Sequence, residues 1–173
     1  MKLDELKNYI RNIPDFPRPG IMFRDITTLL LEPKAVNTIL NEFEQRFTTS
    51  QPTKIAGIES RGFIFASALA DRMDLGLVLI RKSGKLPGDV HEESYDLEYG
   101  TDTLELHKDS VKPGDNIILI DDLLATGGTM EAAVRLVQLA KGNIAGIGFV
   151  IELDALRGRD SLEEYNLHSL IHY

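Results

Sequence analysis

The chain has no cysteine, so neither a disulfide nor a thiolate metal centre can contribute to its stability or its chemistry. It also lacks any apolar run approaching the roughly 20 residues that a membrane-spanning helix needs. Its first ten residues, MKLDELKNYI, are too acidic and polar for a secretory leader, and a cytoplasmic location is expected. Internal repeats, low-complexity tracts and the glycine-lysine phosphate loop of nucleotide hydrolases are all missing. The four histidines, His91, His107, His168 and His172, are scattered, and no protein-borne metal site is predicted from them. Basic residues are in deficit: 19 Lys and Arg face 27 Asp and Glu, a net charge of −8. That balance argues against nonspecific nucleic-acid binding, which calls for a basic footprint. An anionic ligand would have to rely on local cations and backbone amides instead of the field of the whole protein.

What is present suits one domain over residues 1–173, with 43% apolar and 27% charged residues and enough chain for a substantial core. The most informative stretch is IILIDDLLATGGTM, residues 117–130. Ile117, Ile118, Leu119 and Ile120 form the short apolar run of a parallel strand buried on both faces. Two carboxylates follow, Asp121 and Asp122, and then Ala125-Thr126-Gly127-Gly128-Thr129. Beyond them the apolar period turns helical through Ala132, Ala133, Leu136, Val137 and Ala140, with Gly142 predicted as the C′ residue. Strand, small-residue turn and helix start make an anion site. Glycines admit the ligand to the backbone, first-turn N–H groups point at it, and the hydroxyls of Thr126 and Thr129 add donors. Two acids would repel a bare phosphate. They suit a ligand that also carries vicinal hydroxyls: a ribose diol on Asp121 and Asp122, with its 5′-phosphate in the turn. Without a ligand, the same residues read as an ordinary βα turn and a helix cap.

The rest of the chain supplies the frame. Leu3, Leu6, Ile10 and Ile13 keep a helical spacing. Pro14, Pro17, Pro19 and Gly20 then force an extended, turning segment that delivers Met22, Phe23 and Arg24. Pro33 suits the first turn of a helix running through Val36, Ile39, Leu40, Phe43 and Phe47. Residues 55–58 are a candidate strand leading into Glu59-Ser60-Arg61-Gly62 and a helix of small apolar residues. That is either a second anion site or a plain loop capped by Ser60. Residues 77–80 form another buried strand, followed by Arg81, Lys82 and Lys85. Three cations so close together on an acidic chain are either the local basic patch or a solvated face. Tyr95, Leu97 and Tyr99, then Leu104 and Leu106, alternate with polar residues on either side of Gly100, which predicts a two-stranded ribbon. A ribbon this polar has little to bury and could serve as a mobile flap. Residues 144–153 read as a long apolar strand whose Gly146-Ile147-Gly148 lacks the third glycine of a dinucleotide fingerprint. The alternation predicts an α/β fold, a doubly wound, mostly parallel sheet with ligands at the C-terminal strand ends.

The order DDLLATGGTM resembles the phosphoribosyl-diphosphate (PRPP) signature of type I phosphoribosyltransferases, and its wording is most similar to the adenine phosphoribosyltransferases within them. PDFPRPGIMFRDIT resembles the family's N-terminal hood, ESRG its pyrophosphate loop, IRKSGKLPG its basic diphosphate segment and YDLEYG its active-site lid. The resemblance implies the type I phosphoribosyltransferase fold, with the hood region over residues 1–32 and a flexible β-ribbon flap over residues 92–107. It implies that Asp121, Asp122, Ala125, Thr126, Gly127, Gly128 and Thr129 hold the ribose and 5′-phosphate of PRPP. Ser60, Arg61, Gly62, Arg81, Lys82 and Lys85 would bind the diphosphate, partly across a homodimer interface. Met22, Phe23, Arg24 and Leu153 would bind adenine, with Phe23 stacking on the base. Glu98 would be the acid–base group and Tyr99 a flap residue. On composition alone, Phe23 reads as core and Glu98 as a solvated strand residue.

The reaction so implied converts adenine and PRPP to AMP and pyrophosphate, with Mg²⁺ carried mainly by PRPP and water. No nucleic acid or membrane is expected among the partners. Two rivals share the fold: a PRPP-binding regulator, which would bring a DNA-binding module or a basic face, and a 6-oxopurine phosphoribosyltransferase.

Overall fold

A computed structural model describes residues 1–96 and 100–173. The chain forms two compact units, Met1–Glu42 and Phe43–Tyr173. In the first, the helical spacing at the N-terminus yields only a 3₁₀ helix, Leu3–Tyr9, with Leu6 buried. Ile13, expected on the same helical face, instead ends strand β1, Arg11–Ile13. The reason is Pro14, whose ring drives the preceding residue into extended backbone. Strand β1 pairs antiparallel with β2, Phe23–Asp25, bringing Arg11 opposite Asp25. A short helix α1, Thr27–Leu30, follows. The unit boundary falls inside α2, Pro33–Phe47, which opens on Pro33 as its sequence predicts.

The second unit is built on a seven-stranded sheet. Its elements are β3 (Lys54–Ile58), α3 (Gly62–Met73), β4 (Gly76–Lys82), β5 (Val90–Asp96), β6 (Thr101–His107), β7 (Asn116–Leu124), α4 (Gly128–Leu139), β8 (Asn143–Glu152) and β9 (Leu167–His172). The strand order is β5-β6-β4-β3-β7-β8-β9. Strands β4, β3, β7, β8 and β9 run parallel, while β6 is antiparallel to both β4 and β5. The expected mostly parallel α/β sheet is present.

Ile117, Ile118, Leu119 and Ile120 are fully buried, as a strand covered on both faces requires. The rings of Phe43 and Phe47 lie over Gly148 and Gly146 of β8, where a Cβ would come within 3.0 Å and 2.6 Å of them. The Gly146-Ile147-Gly148 pattern is therefore a packing device. Truncating Phe47, which is fully buried, would cost about 3–5 kcal/mol.

Two expectations are corrected. The two-stranded ribbon is present as β5 and β6, but it has more to bury than its polar sequence suggests: it forms one edge of the main sheet, and Tyr95, Leu104 and Leu106 are buried in the core. Helix α4 also ends one residue earlier than the glycine suggests. Lys141 takes the left-handed C′ conformation at φ 63°. The N–H of Gly142 donates to Val137 O at 2.9 Å and that of Lys141 to Gln138 O at 2.9 Å, a Schellman motif with Gly142 at C″.

Candidate active site

Strands β3 and β7 are parallel neighbours, and their pairing ends at Gly57 opposite Ile120. Beyond that point β7 continues through Asp121 and Asp122 to Leu124, while β3 gives way to the turn that opens α3. Two helix starts thus flank one pair of carboxylates. The turn contains Glu59, Ser60 and Arg61, with a cis peptide between Glu59 and Ser60. Arg61 is the N-cap of α3, and no side chain caps the helix. Its guanidinium reaches Asp122 Oδ2 at 2.8 Å. Gly62 backs onto the neighbouring acid, where a Cβ would stand 2.8 Å from Asp121 Oδ1. The same Oδ1 accepts the Asp122 backbone N–H at 2.8 Å.

The electrostatics of the pair follow from this crowding. Burial, and then the negative charge of Asp122, push the Asp121 carboxyl well above the usual range. Burial also raises Asp122, against the pull of the Arg61 guanidinium. Without a ligand, these acids are held where ionisation is unfavourable.

After Leu124 the chain turns through Ala125, Thr126 and Gly127. Gly127 is the N-cap of α4 at φ 95°, a left-handed conformation that favours glycine, and no side chain caps the helix. The first-turn amides of Gly128, Thr129 and Met130 are therefore open to an acceptor. A cavity of about 150 Å³ lies at the turn, lined in part by Asp121, Thr126, Gly127 and Thr129. The turn is supported from behind by Gly158. A Cβ on Gly127 would stand 2.7 Å from Gly158 O, and one on Gly158 would overlap Ala125 O. Leu153 sits nearby at the end of β8, its N–H donating to Leu124 O at 2.9 Å.

The three cations after β4 behave differently from one another. Arg81 is held by Glu59 through two contacts of 3.3 Å. Lys82 Nζ lies 2.9 Å from Asp102 Oδ2 on β6. Asp102 raises the lysine's affinity for its proton, and Lys82 lowers the carboxyl of Asp102 in return. Among the described residues, Lys85 has no ion-pair partner within 4.0 Å. Asp102 also accepts a 3.4 Å hydrogen bond from the Tyr95 hydroxyl, which the Thr129 side chain and the charge of Lys82 influence as well. Ribbon, basic segment and turn are thus linked through Lys82, Asp102, Tyr95 and Thr129. A second cavity, of about 490 Å³, opens between the ribbon and the start of α4.

Glu98 and Tyr99 lie outside the described residues. Met22, Phe23 and Arg24 belong to the first unit. There the Phe23 ring meets Phe16 edge-on with centroids 5.0 Å apart, Arg24 Nη1 donates to Asn12 Oδ1, and Met22 is exposed. Glu152, Asp154 and His172 form a group with metal-ligand chemistry that sequence reading had not singled out. Both Glu152 oxygens already accept from the Arg159 guanidinium, so that group is poorly suited to a cation. The supporting contacts of Glu59, Asp102, Tyr95 and Gly158 were also missed. Glu59 and Tyr95 stand inside the ESRG and YDLEYG motifs, but each of the four acts through a neighbour distant in sequence.

Two helix starts and a carboxylate pair at the C-terminal ends of neighbouring parallel strands make an arrangement suited to an anion that also carries hydroxyls. The family model for the phosphoribosyl transferase domain matches residues 26–171. The adenine phosphoribosyltransferase of Koribacter versatilis is 49% identical over 170 residues, covering 98% of this chain and 93% of that protein. That of Francisella philomiragia is 49% identical over the full length of both chains. The crystal structure of the Thermoanaerobacter pseudethanolicus adenine phosphoribosyltransferase superposes with a TM-score of 0.96 at 45% identity, covering 99% of this chain and 100% of that one. The Giardia lamblia enzyme, crystallised with 9-deazaadenine, gives a TM-score of 0.94 at 38% identity, covering 100% and 98% of the two chains. The chain belongs to the phosphoribosyl transferase family, in its adenine phosphoribosyltransferase group.

Proposed function

We propose that the protein transfers the phosphoribosyl group of PRPP to adenine, giving AMP and pyrophosphate in purine salvage. The observation that carries this reading is the Arg61–Asp122 pair, which joins the turn after β3 to the carboxylates at the C-terminal end of the neighbouring central strand β7. PRPP is an anion at two ends with a diol between them, and these strand ends offer amides, acceptors and cations in that order. The turn of Ala125, Thr126, Gly127, Gly128 and Thr129 takes the 5′-phosphate. Asp121 and Asp122 accept from the ribose hydroxyls. Ser60, Arg61 and Gly62 take the diphosphate, joined by the segment of Arg81, Lys82 and Lys85.

The bond between C1′ and the diphosphate oxygen breaks as the bond from adenine N9 to C1′ forms. Positive charge grows on the ribose and negative charge on the leaving group, so the work is mainly electrostatic and positional. Arg61 and Lys85 stabilise the leaving diphosphate. Adenine sheds a proton as N9 attacks, and Glu98 exchanges it at N7. Phe23 stacks on the base, with Met22, Arg24 and Leu153 around it and Tyr99 in the flap. Mg²⁺ would be carried by PRPP oxygens and water and would neutralise diphosphate charge.

We place this chemistry in a cytoplasmic homodimer. Leu77 and Leu79 of β4, and Ile64 of the adjoining α3, are each about 40% exposed. An apolar step on a strand that runs directly into Arg81 suits a second copy of the chain. A spectrophotometric assay with PRPP, Mg²⁺ and each purine base in turn tests the reading. AMP formation from adenine alone is expected; preference for a 6-oxopurine, or binding without turnover, would overturn it.

A further inference from the structure

The basic segment after β4 is stiffened from beneath by a carboxylate that the reaction itself does not use. Glu105 lies on β6 between Leu104 and Leu106, which are buried in the core. Strand alternation therefore turns Glu105 toward the opposite face, laterally beside Arg81 of β4. Only 3% of Glu105 is exposed. A carboxylate so enclosed is costly unless its charge is met, and here backbone amides meet it. Oε1 accepts the Gly84 N–H at 2.6 Å and Oε2 the Leu86 N–H at 3.4 Å, with the Ser83 side chain and the Lys85 backbone also contributing. Arg81 pairs with Glu59 and not with Glu105, although its Nη1 also donates to Lys85 O at 3.3 Å.

We infer that Glu105 is a positioning residue for diphosphate binding. Its two oxygens fix the backbone from Ser83 to Leu86 and so aim the Lys85 ammonium. Among the described residues, the other bonds to the loop backbone are three: the Ser83 N–H donates to Thr103 O at 3.0 Å, the Lys85 N–H to Lys82 O at 3.3 Å and Arg81 Nη1 to Lys85 O at 3.3 Å. None of them reaches the amides of Gly84 and Leu86, and Ser83, Gly84 and Lys85 are exposed, with Gly84 at φ 76° and open space around it. A lysine stem is flexible, so the backbone beneath it bounds the region that the ammonium can sample. A glutamine could not replace the acid, because one of its two terminal atoms is a donor and would face an N–H. The proposal rests on the reading that Lys85 contacts the diphosphate, and the test separates the two.

Steady-state kinetics are measured on Glu105→Gln, Lys85→Ala and the double variant, varying PRPP and adenine separately. Each single change is expected to raise KM for PRPP by about tenfold, leaving KM for adenine within about twofold. The double variant should be no worse than about the poorer single one, since one residue acts through the other. Multiplying effects, or a normal PRPP KM in Glu105→Gln beside a raised one in Lys85→Ala, would refute the positioning role alone. A normal PRPP KM in Lys85→Ala would remove the underlying reading together with the proposal. If Glu105→Gln does not fold, Glu105→Asp replaces it. That variant keeps charge and acceptors but withdraws them by one methylene, and the same split and non-additivity are expected.

Discussion

The guanidinium of Arg61 stands 2.8 Å from Asp122 Oδ2, joining the turn after β3 to the end of β7. The guanidinium offsets part of the burial cost of Asp122, whose carboxyl is still raised. Burial, and then the charge of Asp122, raise the pKa of Asp121, while its unfolded value is near 3.8. Between those two values the unfolded chain has released the proton and the folded chain has not. Folding stability therefore falls as pH rises through that window, and the deficit persists above it. Asp121→Asn removes the deficit while its oxygen can still accept the Asp122 N–H. We expect the ligand-free variant to melt a few degrees higher at pH 7, about 1 kcal/mol or more on this size of chain. The same variant should lose most of the thermal shift that PRPP gives the wild type. Scanning fluorimetry with and without PRPP checks both, and a lower melting point would contradict the assigned crowding.

If Lys82 meets the diphosphate as proposed, Asp102 competes for it. The pair is half-exposed on the lysine side, so it is worth only about 0.2–1 kcal/mol. Asp102→Asn should tighten pyrophosphate binding by no more than about fivefold and shift the salt dependence of binding. Calorimetry at two ionic strengths measures this; weaker binding in the variant would mean that Asp102 presents the lysine instead of holding it back.

Gly158 supports the turn through backbone alone. Alanine there would drive a Cβ into Ala125 O and to within 2.9 Å of Gly127 N, neither of which can swing aside as a side chain does. Gly158→Ala should raise KM for PRPP by roughly tenfold or more, because a displacement near 1 Å costs about that much at a positioned site. An unchanged PRPP KM would show that the turn tolerates the shift.

Much of this site was legible in the sequence because its central parts are local. The strand, the acid pair and the turn of residues 117–130 are contiguous, and their chemistry follows from the order of residues. Glu59-Ser60-Arg61-Gly62 was legible for the same reason. The supports were not, because β4 and β6 pair antiparallel across more than twenty residues, and only that register sets Glu105 beside Arg81. Gly158 likewise meets Ala125 only after β8 has returned. The polar ribbon misled for a related reason: Tyr95, Leu104 and Leu106 bury against α4 and the sheet, which alternation alone does not locate.

The first unit carries its own acid sensitivity. Asp25 is lowered to about 2, chiefly by the Thr27 N–H and then by Arg11. A depressed carboxyl stabilises the fold above its unfolded value near 3.8, and that contribution drains as pH falls toward 2. Asp25→Asn should therefore melt lower than the wild type at pH 6, with the gap closing toward pH 2. Circular dichroism melts across that range read it directly, and a gap independent of pH would refute the assignment.

The last prediction concerns the side on which Lys85 acts. Among the described residues, it is the cation of its segment without an ion-pair partner, and β4 delivers it from the exposed Leu77 and Leu79. If the second copy packs on that apolar step, the segment reaches the neighbour's diphosphate. Mixed dimers decide the matter. One parent carries Lys85→Ala and the other carries Asp121→Asn with Asp122→Asn. In trans, the heterodimer has one site with every defect and one with none, so activity returns on mixing and reassociation. Random exchange makes half the dimers mixed, and about a quarter of wild-type activity is expected. In cis, every site keeps one lesion and the mixture stays as poor as its parents. Native mass spectrometry establishes that heterodimers have formed, and inactive heterodimers would confine Lys85 to its own subunit.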